Sequence, residues 1–189
     1  MTAGELDSIV RMAEPRDAKD LARVYVETWR TAYAGMVPDK VLLEMSEATQ
    51  GARWARSIER SDELVMVAED IAKGVIGLSS GGPSRGNESR GGHGCKAEIF
   101  TLYILPDEQG RGIGRALLAG MFAEFLTHGL GSAIIWVLGA NPARFFYETL
   151  GGERSVERKE RLWGADLPEI AYIWRDLAAS LEHDHRLKR

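Results

Sequence analysis

The spacing of apolar and polar residues along the chain predicts both strands and helices. Short apolar runs predict strands over residues 9–13, 64–68, 75–79, 97–105 and 133–138, and two strand-like runs follow at residues 153–158 and 169–174. Apolar residues that recur every three or four positions predict helices that begin near Asp17, Pro38, Ser46, Gly112 and Asn141. Strands and helices therefore alternate in the middle of the chain, and strands follow one another in hairpins at both ends.

This order of elements predicts the fold class. Strand–helix–strand alternation requires parallel strands at the centre, and the hairpins add antiparallel strands. We therefore expect an α/β (α+β) fold with a mixed central sheet of about seven strands flanked by helices. A length of 189 residues agrees with one domain, which the pattern places over residues 9–176.

Two segments depart from the regular pattern. Residues 80–94 are rich in glycine, which predicts a long loop inserted within the domain. A loop of this length is flexible or functional, so it is either a lid over the acceptor or an idle surface insertion. Residues 182–189 are charged and predict a frayed tail.

Composition and charge exclude several classes of function. Hydrophobic residues make up 44% of the chain and charged residues 28%, so the chain can bury a core. The formal net charge of −4 argues against a general binder of nucleic acid or of anionic membranes. No apolar run approaches the roughly 20 residues of a bilayer span, and the first residues lack a secretory leader pattern. We therefore expect a cytoplasmic protein without membrane or nucleic-acid partners.

The cysteine and the histidines do not indicate a disulfide, a metal site or a nucleophile. Cys95 is the single cysteine, which excludes a disulfide framework and a multi-cysteine metal site. The four histidines show no metal-ligand spacing, so no metal is expected. Cys95 as an acyl-carrying nucleophile is disfavoured, because no His–Asp partner arrangement is apparent.

The strongest candidate site is a glycine-rich turn between a strand and a helix. The strand ends at Pro106-Asp107, and Gln109-Gly110-Arg111-Gly112-Ile113-Gly114 leads into an amphipathic helix. Glycines let a ligand approach the backbone closely, and the free N–H groups of a helix N-terminus attract phosphate oxygens. A Walker loop would need Gly-Lys-Ser/Thr, and a dinucleotide fingerprint would need Gly-x-Gly-x-x-Gly near the first strand. The turn instead fits the pattern Gln/Arg-x-x-Gly-x-Gly/Ala of coenzyme A-dependent N-acetyltransferases at every position.

With this turn and two further segments, the chain resembles the GNAT superfamily of N-acetyltransferases. Residues 141–152, Asn-Pro-Ala-Arg-Phe-Phe-Tyr-Glu-Thr-Leu-Gly-Gly, are similar to the family's Asn…Phe-Tyr…Leu-Gly-Phe segment, with Gly152 where an aromatic residue is usual. Residues 28–39 are similar to the first-helix region of the group, so the resemblance covers about residues 9–176. It implies two splayed parallel strands, 98–105 and 133–138, with the thioester arm of acetyl-CoA in the gap between them.

The resemblance also implies which residues bind the coenzyme. Main-chain groups of Leu102 and Ile104 would contact its acetyl and pantetheine ends. The pyrophosphate would lie on the turn formed by Gln109, Gly110, Arg111, Gly112, Ile113 and Gly114. Arg111 and Arg115 would add positive charge, with a solvated side chain at the helix end as the alternative for each. Asn141 would cap its helix and, as a second role, contact the coenzyme.

Acetylation of an amine needs a group that takes a proton, a main-chain N–H that polarises the carbonyl, and a group that protonates the leaving thiolate. Tyr147 occupies the family position of the tyrosine that protonates the thiolate, with core packing as the alternative. Glu98 is the candidate base, because strand alternation places Glu98, Phe100, Leu102 and Ile104 on one face. A strand-edge glutamate without a catalytic role, and a chain of waters in place of a single base, are the alternatives.

By the same resemblance, Trp29 and Tyr33 would form one wall of the acceptor pocket, with core packing by the first helix as the alternative. The chain is thus expected to be an acetyl-CoA-dependent N-acetyltransferase that acts on a primary amine of a small molecule by direct attack. Two other functions stay open: acetylation of protein N-termini or lysines, and a non-catalytic acyl-CoA-binding sensor on the same fold. A homodimer would cover the exposed edges of the sheet.

Overall fold

The computed structural model of the protein describes residues 8–86 and 94–187, the last four of these by their backbone alone. Its seven strands are β1 (Ser8–Met12), β2 (Leu64–Asp70), β3 (Gly74–Pro83), β4 (Ala97–Ile104), β5 (Ala133–Leu138), β6 (Glu153–Leu162) and β7 (Ala165–Trp174). They form one sheet in the order β1-β2-β3-β4-β5-β7-β6. Only β4 and β5 pair in parallel within this described sheet, and every other neighbouring pair is antiparallel. The predicted mixed α/β sheet is therefore confirmed.

The helices are α1 (Ala18–Ala32), α2 (Asp39–Leu43), α3 (Glu47–Glu59), α4 (Ile113–Thr127), α5 (Ala143–Thr149) and α6 (Leu177–Leu187). Ser46 caps α3, since its hydroxyl accepts a hydrogen bond from the backbone N–H of Thr49. The prediction of a frayed end from residue 182 is wrong for the backbone up to Leu187, which continues α6.

Helices cover both faces of the sheet, and each face has its own apolar core. On one face, Leu117, Met121 and Phe125 of α4 are fully buried against the strands. On the other face, Leu21 of α1 and Trp54 of α3 pack over β2 and β3. The sheet thus separates a face covered by α4 from a face covered by α1, and this distinction decides where each side chain of β4 points.

The two parallel strands at the centre diverge. β4 and β5 pair only at Ala97–Ala133, Glu98–Ile134 and Ile99–Ile135, while both strands continue further. β3 follows β4 on the other side along its whole length, so the strands separate on the β5 side alone. The expected splayed strands are confirmed, and the gap between them opens toward the C-terminal ends of β4 and β5.

β4 contains a β-bulge at Phe100. Ser80 of β3 pairs with Thr101 and the next residue, Gly81, pairs with Ile99, so Phe100 is the extra residue. Ala97, Ile99, Leu102 and Ile104 all pack in the core on the α4 face, and Tyr103 packs in the core on the α1 face. The predicted alternation of Glu98, Phe100, Leu102 and Ile104 on one face is therefore wrong, because the bulge shifts the alternation by one residue.

The glycine-rich segment begins as a strand and not as a loop. β3 extends to Pro83, so residues 80–83 belong to the sheet. A Cβ at Gly81 would lie 2.7 Å from the Phe125 ring, and one at Gly82 would lie 2.4 Å from the backbone oxygen of Asp62. These glycines therefore permit close packing within the sheet rather than a loop. Residues 87–93 of the predicted loop lie outside the described residues.

Within the part of the chain that the structure describes, no helix has both the length and the apolar character needed to cross a membrane.

Candidate active site

A cleft of about 790 Å³ fills the gap where β4 and β5 diverge. Its walls are residues 28 and 31–33 at the end of α1, residues 100–104 of β4, residues 108–110 and 112–115 at the start of α4, residues 135–137 of β5, and α5 with its flanks. Of the predicted site residues, the cleft brings together Tyr33, Leu102, Ile104, Gln109, Gly110, Gly112, Ile113, Gly114, Arg115, Asn141 and Tyr147. Trp29, Glu98 and Arg111 do not line it.

The glycine-rich turn closes one end of the cleft. Gly110 and Gly112 have φ angles of +76° and +82°, a backbone region that favours glycine, and α4 begins directly after Gly112. A Cβ at Gly114 would lie 3.1 Å from the side chains of Ile104 and Phe146, so this glycine lets the first turn of α4 approach β4 and α5. The first backbone N–H groups of α4 are therefore held at the cleft, where they can bind an anion.

The side chain of Arg111 stabilises the glycine-rich turn through ion pairs. Its guanidinium donates to the carboxylate of Glu108 and lies 3.7 Å from that of Asp70 in the β2–β3 turn. Lys73 Nζ lies 2.6 Å from the other oxygen of Glu108. The hydrogen bond from Lys73, followed by that from Arg111, holds the pKa of Glu108 below its usual value. Because two buried carboxylates hold its side chain away from the cleft, we expect Arg111 to support the turn rather than to face the pyrophosphate.

Three tyrosines line the cleft beyond the turn, and Tyr103 lies on its α1 side. The hydroxyl groups of Tyr33 and Tyr103 are 3.2 Å apart. Burial raises the pKa of Tyr33, and hydrogen bonds with Tyr103 and Asn141 offset part of this shift. Burial also raises the pKa of Tyr103 and of Tyr147 well above the usual value. All three hydroxyl groups therefore stay protonated at neutral pH and can donate hydrogen bonds.

Tyr147 is buried on α5 among other aromatic rings. Its ring centroid lies 5.2 Å from that of Phe146, 6.1 Å from that of Tyr172 and 6.2 Å from that of Trp174. Asn141 starts this helix, since its side-chain oxygen accepts a hydrogen bond from the backbone N–H of Ala143 at 2.9 Å. The packing fixes the Tyr147 ring while its residue lines the cleft, so core packing and a chemical role are compatible.

Tyr103 was missed by sequence reasoning. It lies in the middle of the strongest predicted strand, where an aromatic residue indicates only a core position. The bulge at Phe100 places it on the α1 face, where its hydroxyl meets Tyr33. No local signal in the sequence could have shown this pairing, because it depends on a register shift and on a partner 70 positions away.

Trp29 packs against Tyr33, a residue of the cleft wall. Its ring lies 4.5 Å from that of Tyr33 and 5.5 Å from that of Tyr25, centroid to centroid. Trp29 therefore does not line the cleft itself, and contacts it through Tyr33.

Glu98 lies at the narrow end of the gap, where β4 and β5 still pair. One oxygen of its carboxylate accepts a hydrogen bond from the backbone N–H of Arg85 at 3.0 Å. Because its neighbours Ala97 and Ile99 face α4, Glu98 faces the α1 side, as Thr101 and Tyr103 do. The structure therefore separates Glu98 from Leu102 and Ile104 and places it on the same side of the sheet as Tyr33.

Cys95 lies outside the cleft. It is buried in a small cluster with Ile134, Ala171 and Ile173, and burial raises the pKa of its thiol. A raised pKa lowers the thiolate fraction, so this environment does not favour a nucleophile. In the described ranges 8–86 and 94–187, no group of His, Cys, Asp or Glu side chains is arranged to hold a metal ion.

Comparisons with known proteins identify the family and the fold that this chain is similar to. The model of the acetyltransferase (GNAT) family matches residues 21–151. The uncharacterized N-acetyltransferase YuaI of Bacillus subtilis is 35% identical over 170 residues, which cover 90% of this chain and 94% of YuaI. YncA of Salmonella typhimurium, solved with its cofactor acetyl-CoA, is 19% identical with a TM-score of 0.66, covering 91% of this chain and 95% of YncA. A chimera of the spermidine N-acetyltransferase SpeG from Vibrio cholerae is 20% identical with a TM-score of 0.68, covering 93% of this chain and 99% of the chimera. The two solved structures share the fold of this chain.

Proposed function

This chain belongs to the GNAT family of acetyltransferases, and from that premise we propose that it transfers the acetyl group of acetyl-CoA to a primary amine of a small molecule. The observation that carries the proposal is the cleft between β4 and β5. A turn built for phosphate oxygens closes this cleft, and three protonated tyrosines line it beyond the turn. A thioester arm that leads from the turn into the cleft would bring its acetyl group to the tyrosines.

The coenzyme would bind along β4. Main-chain groups of Leu102 and Ile104 face the gap that β5 leaves, so an extended pantetheine arm can pair with them as an added strand. The pyrophosphate would lie on the N–H groups at the start of α4. YncA, which shares the fold, was solved with its cofactor acetyl-CoA, and this supports acetyl-CoA as the coenzyme.

Arg115 and Arg111 offer a direct test of the coenzyme site. Arg115 lines the cleft, whereas Arg111 pairs with Glu108. We expect Arg115→Met to weaken acetyl-CoA binding about fivefold, through loss of one charge-assisted contact to phosphate. Arg111→Met should change the Kd by less than about twofold and lower the free energy of unfolding, since Glu108 loses one of two partners. Calorimetric titration measures the change in Kd, and urea unfolding measures the change in stability. If Arg111→Met weakened binding by more than about twofold, Arg111 would contact the phosphate after all.

The acceptor amine arrives as an ammonium ion, so its nitrogen loses two protons in all while the sulfur gains one. We propose that Glu98 takes the first of these protons through a bridging water, because its carboxylate faces the acceptor side of the sheet without lining the cleft. The neutral amine nitrogen then bonds to the thioester carbonyl carbon, whose oxygen is stabilised by a main-chain N–H of the bulged strand. The nitrogen releases its second proton to water, and the carbon–sulfur bond breaks as Tyr147 donates its proton to the leaving sulfur. Tyr147 then regains a proton from solvent. The products are the N-acetylated amine and coenzyme A.

Calorimetric titration with acetyl-CoA tests the proposed function, with NADH and ATP as control ligands. Gly112→Glu should weaken acetyl-CoA binding at least about tenfold, because it places a negative charge and a left-handed non-glycine residue at the start of α4. Gly129→Glu is the matched control: Gly129 also has a positive φ, +72°, and open space around it, but follows the far end of the same helix. Folded protein that does not bind acetyl-CoA would contradict the proposal, and binding without thiol release across an amine panel would favour the sensor function.

A further inference from the structure

The tip of the β6–β7 hairpin carries an unusual residue. Trp163 and Gly164 form the two-residue connection between Leu162 and Ala165, with φ angles of +50° and +83°. Two positive φ angles define a type I′ turn, for which Asn-Gly is the preferred sequence. Trp163 is the one non-glycine residue with positive φ in the described part of the chain. A tryptophan here is unfavourable for the turn itself, and such strain indicates a role for the side chain.

The Trp163 ring continues a row of aromatic side chains that leads into the cleft. It remains 41% exposed, and its centroid lies 5.6 Å from that of Trp29 in an edge-to-face contact. Trp29 in turn contacts Tyr33 at 4.5 Å, and the Tyr33 hydroxyl meets that of Tyr103 at 3.2 Å. Trp163 and Trp29 lie beside the cleft walls rather than on them, and Tyr33 connects them to the acceptor part of the cleft.

The acceptor end of the cleft contains neutral polar groups and rings. The charged residues on the described walls are Glu108 and Arg115, and both lie at the glycine-rich turn. Thr28 is only 3% exposed, yet its hydroxyl has no hydrogen-bond partner among the described residues, and its residue lines the cleft. Buried hydroxyl groups normally have a partner, so this one is available to an N–H group of a ligand.

Glu169, a carboxylate beyond the walls, is already engaged. Glu169 of β7 is close enough to interact electrostatically with Tyr33, but its oxygen lies 2.8 Å from the guanidinium of Arg158. That guanidinium also stacks on Trp136, 3.9 Å from the ring centroid. A second ammonium group of a polyamine would therefore find no unpaired carboxylate on these walls.

We propose that the acceptor is a monoamine with a flat apolar body, of the arylalkylamine class, and that Trp163 is a specificity-determining residue that contacts this body. The proposal rests on the proposed acetyl transfer, since it names the acceptor of the same cleft. The amine nitrogen lies among the hydroxyl groups of Thr28, Tyr33 and Tyr103, and the flat body extends along the aromatic row toward Trp163.

The experiment titrates amines into protein saturated with coenzyme A, so that binding is measured without turnover. The panel is 2-phenylethylamine, n-butylamine and spermidine. We expect 2-phenylethylamine to bind about tenfold more tightly than n-butylamine, and spermidine to bind no better than n-butylamine. Trp163→Asn should remove this preference, whereas Trp163→Phe should restore part of it. Asparagine is the best residue for this turn, so Trp163→Asn should melt at or above the wild-type temperature.

Each other outcome has a definite meaning. Preferred binding of spermidine, or no binding of any amine in the panel, would overturn the acceptor class. Equal amine affinities of Trp163→Asn and wild type, with a lower melting temperature of the variant, would show that Trp163 only packs against Trp29. In both cases retained binding of coenzyme A would leave the proposed acetyl transfer standing, whereas loss of coenzyme binding by the wild type would contradict that function itself.

Discussion

Replacing Glu98 with glutamine is expected to lower kcat/KM for the amine about 100-fold, the usual size of a lost general base. Acetyl-CoA affinity should change by less than about twofold, because Glu98 lies at the narrow end of the gap and outside the cleft walls. The amide of glutamine can still accept the backbone N–H of Arg85, so the local fold is kept. Steady-state kinetics with acetyl-CoA saturating measures the loss.

The pH profile separates a base from a structural glutamate. Without a base, the rate of Glu98→Gln should follow the fraction of neutral amine and rise about tenfold per pH unit toward the pKa of the amine, near ~10.4 for an alkylamine. Glu69→Gln is the matched control, since Glu69 also lies on a strand and is also half-buried, with Arg11 as its partner. A Glu98→Gln profile that coincides with wild type would assign the proton to a chain of waters.

Much of the fold could be predicted because its signals are local. Each strand was predicted in part, with β3, β6 and β7 longer than expected, and the change from alternation to helical spacing after Gly112 indicated α4. The two left-handed glycines at 110 and 112 could also be anticipated, since a turn that delivers a helix N-terminus to a ligand needs such residues. These features depend on residues within one turn of one another.

The errors concern side chains whose position depends on distant residues. The bulge at Phe100 leaves the apolar pattern of β4 intact, so alternation placed Glu98 beside Leu102. Arg111 lies in the turn, but its partner Asp70 is brought by the β2–β3 hairpin. Gly81 was predicted to lie in a loop but lies in β3, because the Phe125 ring on α4 occupies the space that a side chain at this position would need. In each case a tertiary contact overrides a local preference.

The bulge also explains why the site can combine two functions on one strand. Before it, Glu98 faces the α1 side, and beyond it Tyr103 does the same, although two residues five positions apart face opposite sides of a regular strand. The shift lets β4 direct its proposed base and an acceptor hydroxyl to the same face. Leu102 and Ile104 meanwhile pack toward α4, which supports the strand edge that would pair with the coenzyme.

Tyr147→Phe is expected to lower kcat about 100-fold while leaving acetyl-CoA affinity within about twofold, because only the proton donor to the leaving sulfur is lost. The phenylalanine ring keeps the contacts with Phe146, Tyr172 and Trp174, so the helix and the cleft wall should persist. Thiol release measured under saturating acetyl-CoA and amine gives kcat, and calorimetry gives the affinity.

Tyr172→Phe is the matched control for this hydroxyl. Tyr172 is equally buried and touches Tyr147, but its hydroxyl donates to Glu148 at 2.6 Å and it lies outside the cleft walls, so its loss should spare kcat. Burial raises the pKa of Tyr147, and the proton is therefore present at every pH below that raised value. Wild-type kcat should accordingly show no loss from this group up to about pH 10, the ordinary pKa of tyrosine. Equal kcat values for Tyr147→Phe and Tyr172→Phe would mean that the thiolate leaves unprotonated, and that Tyr147 serves the aromatic packing alone.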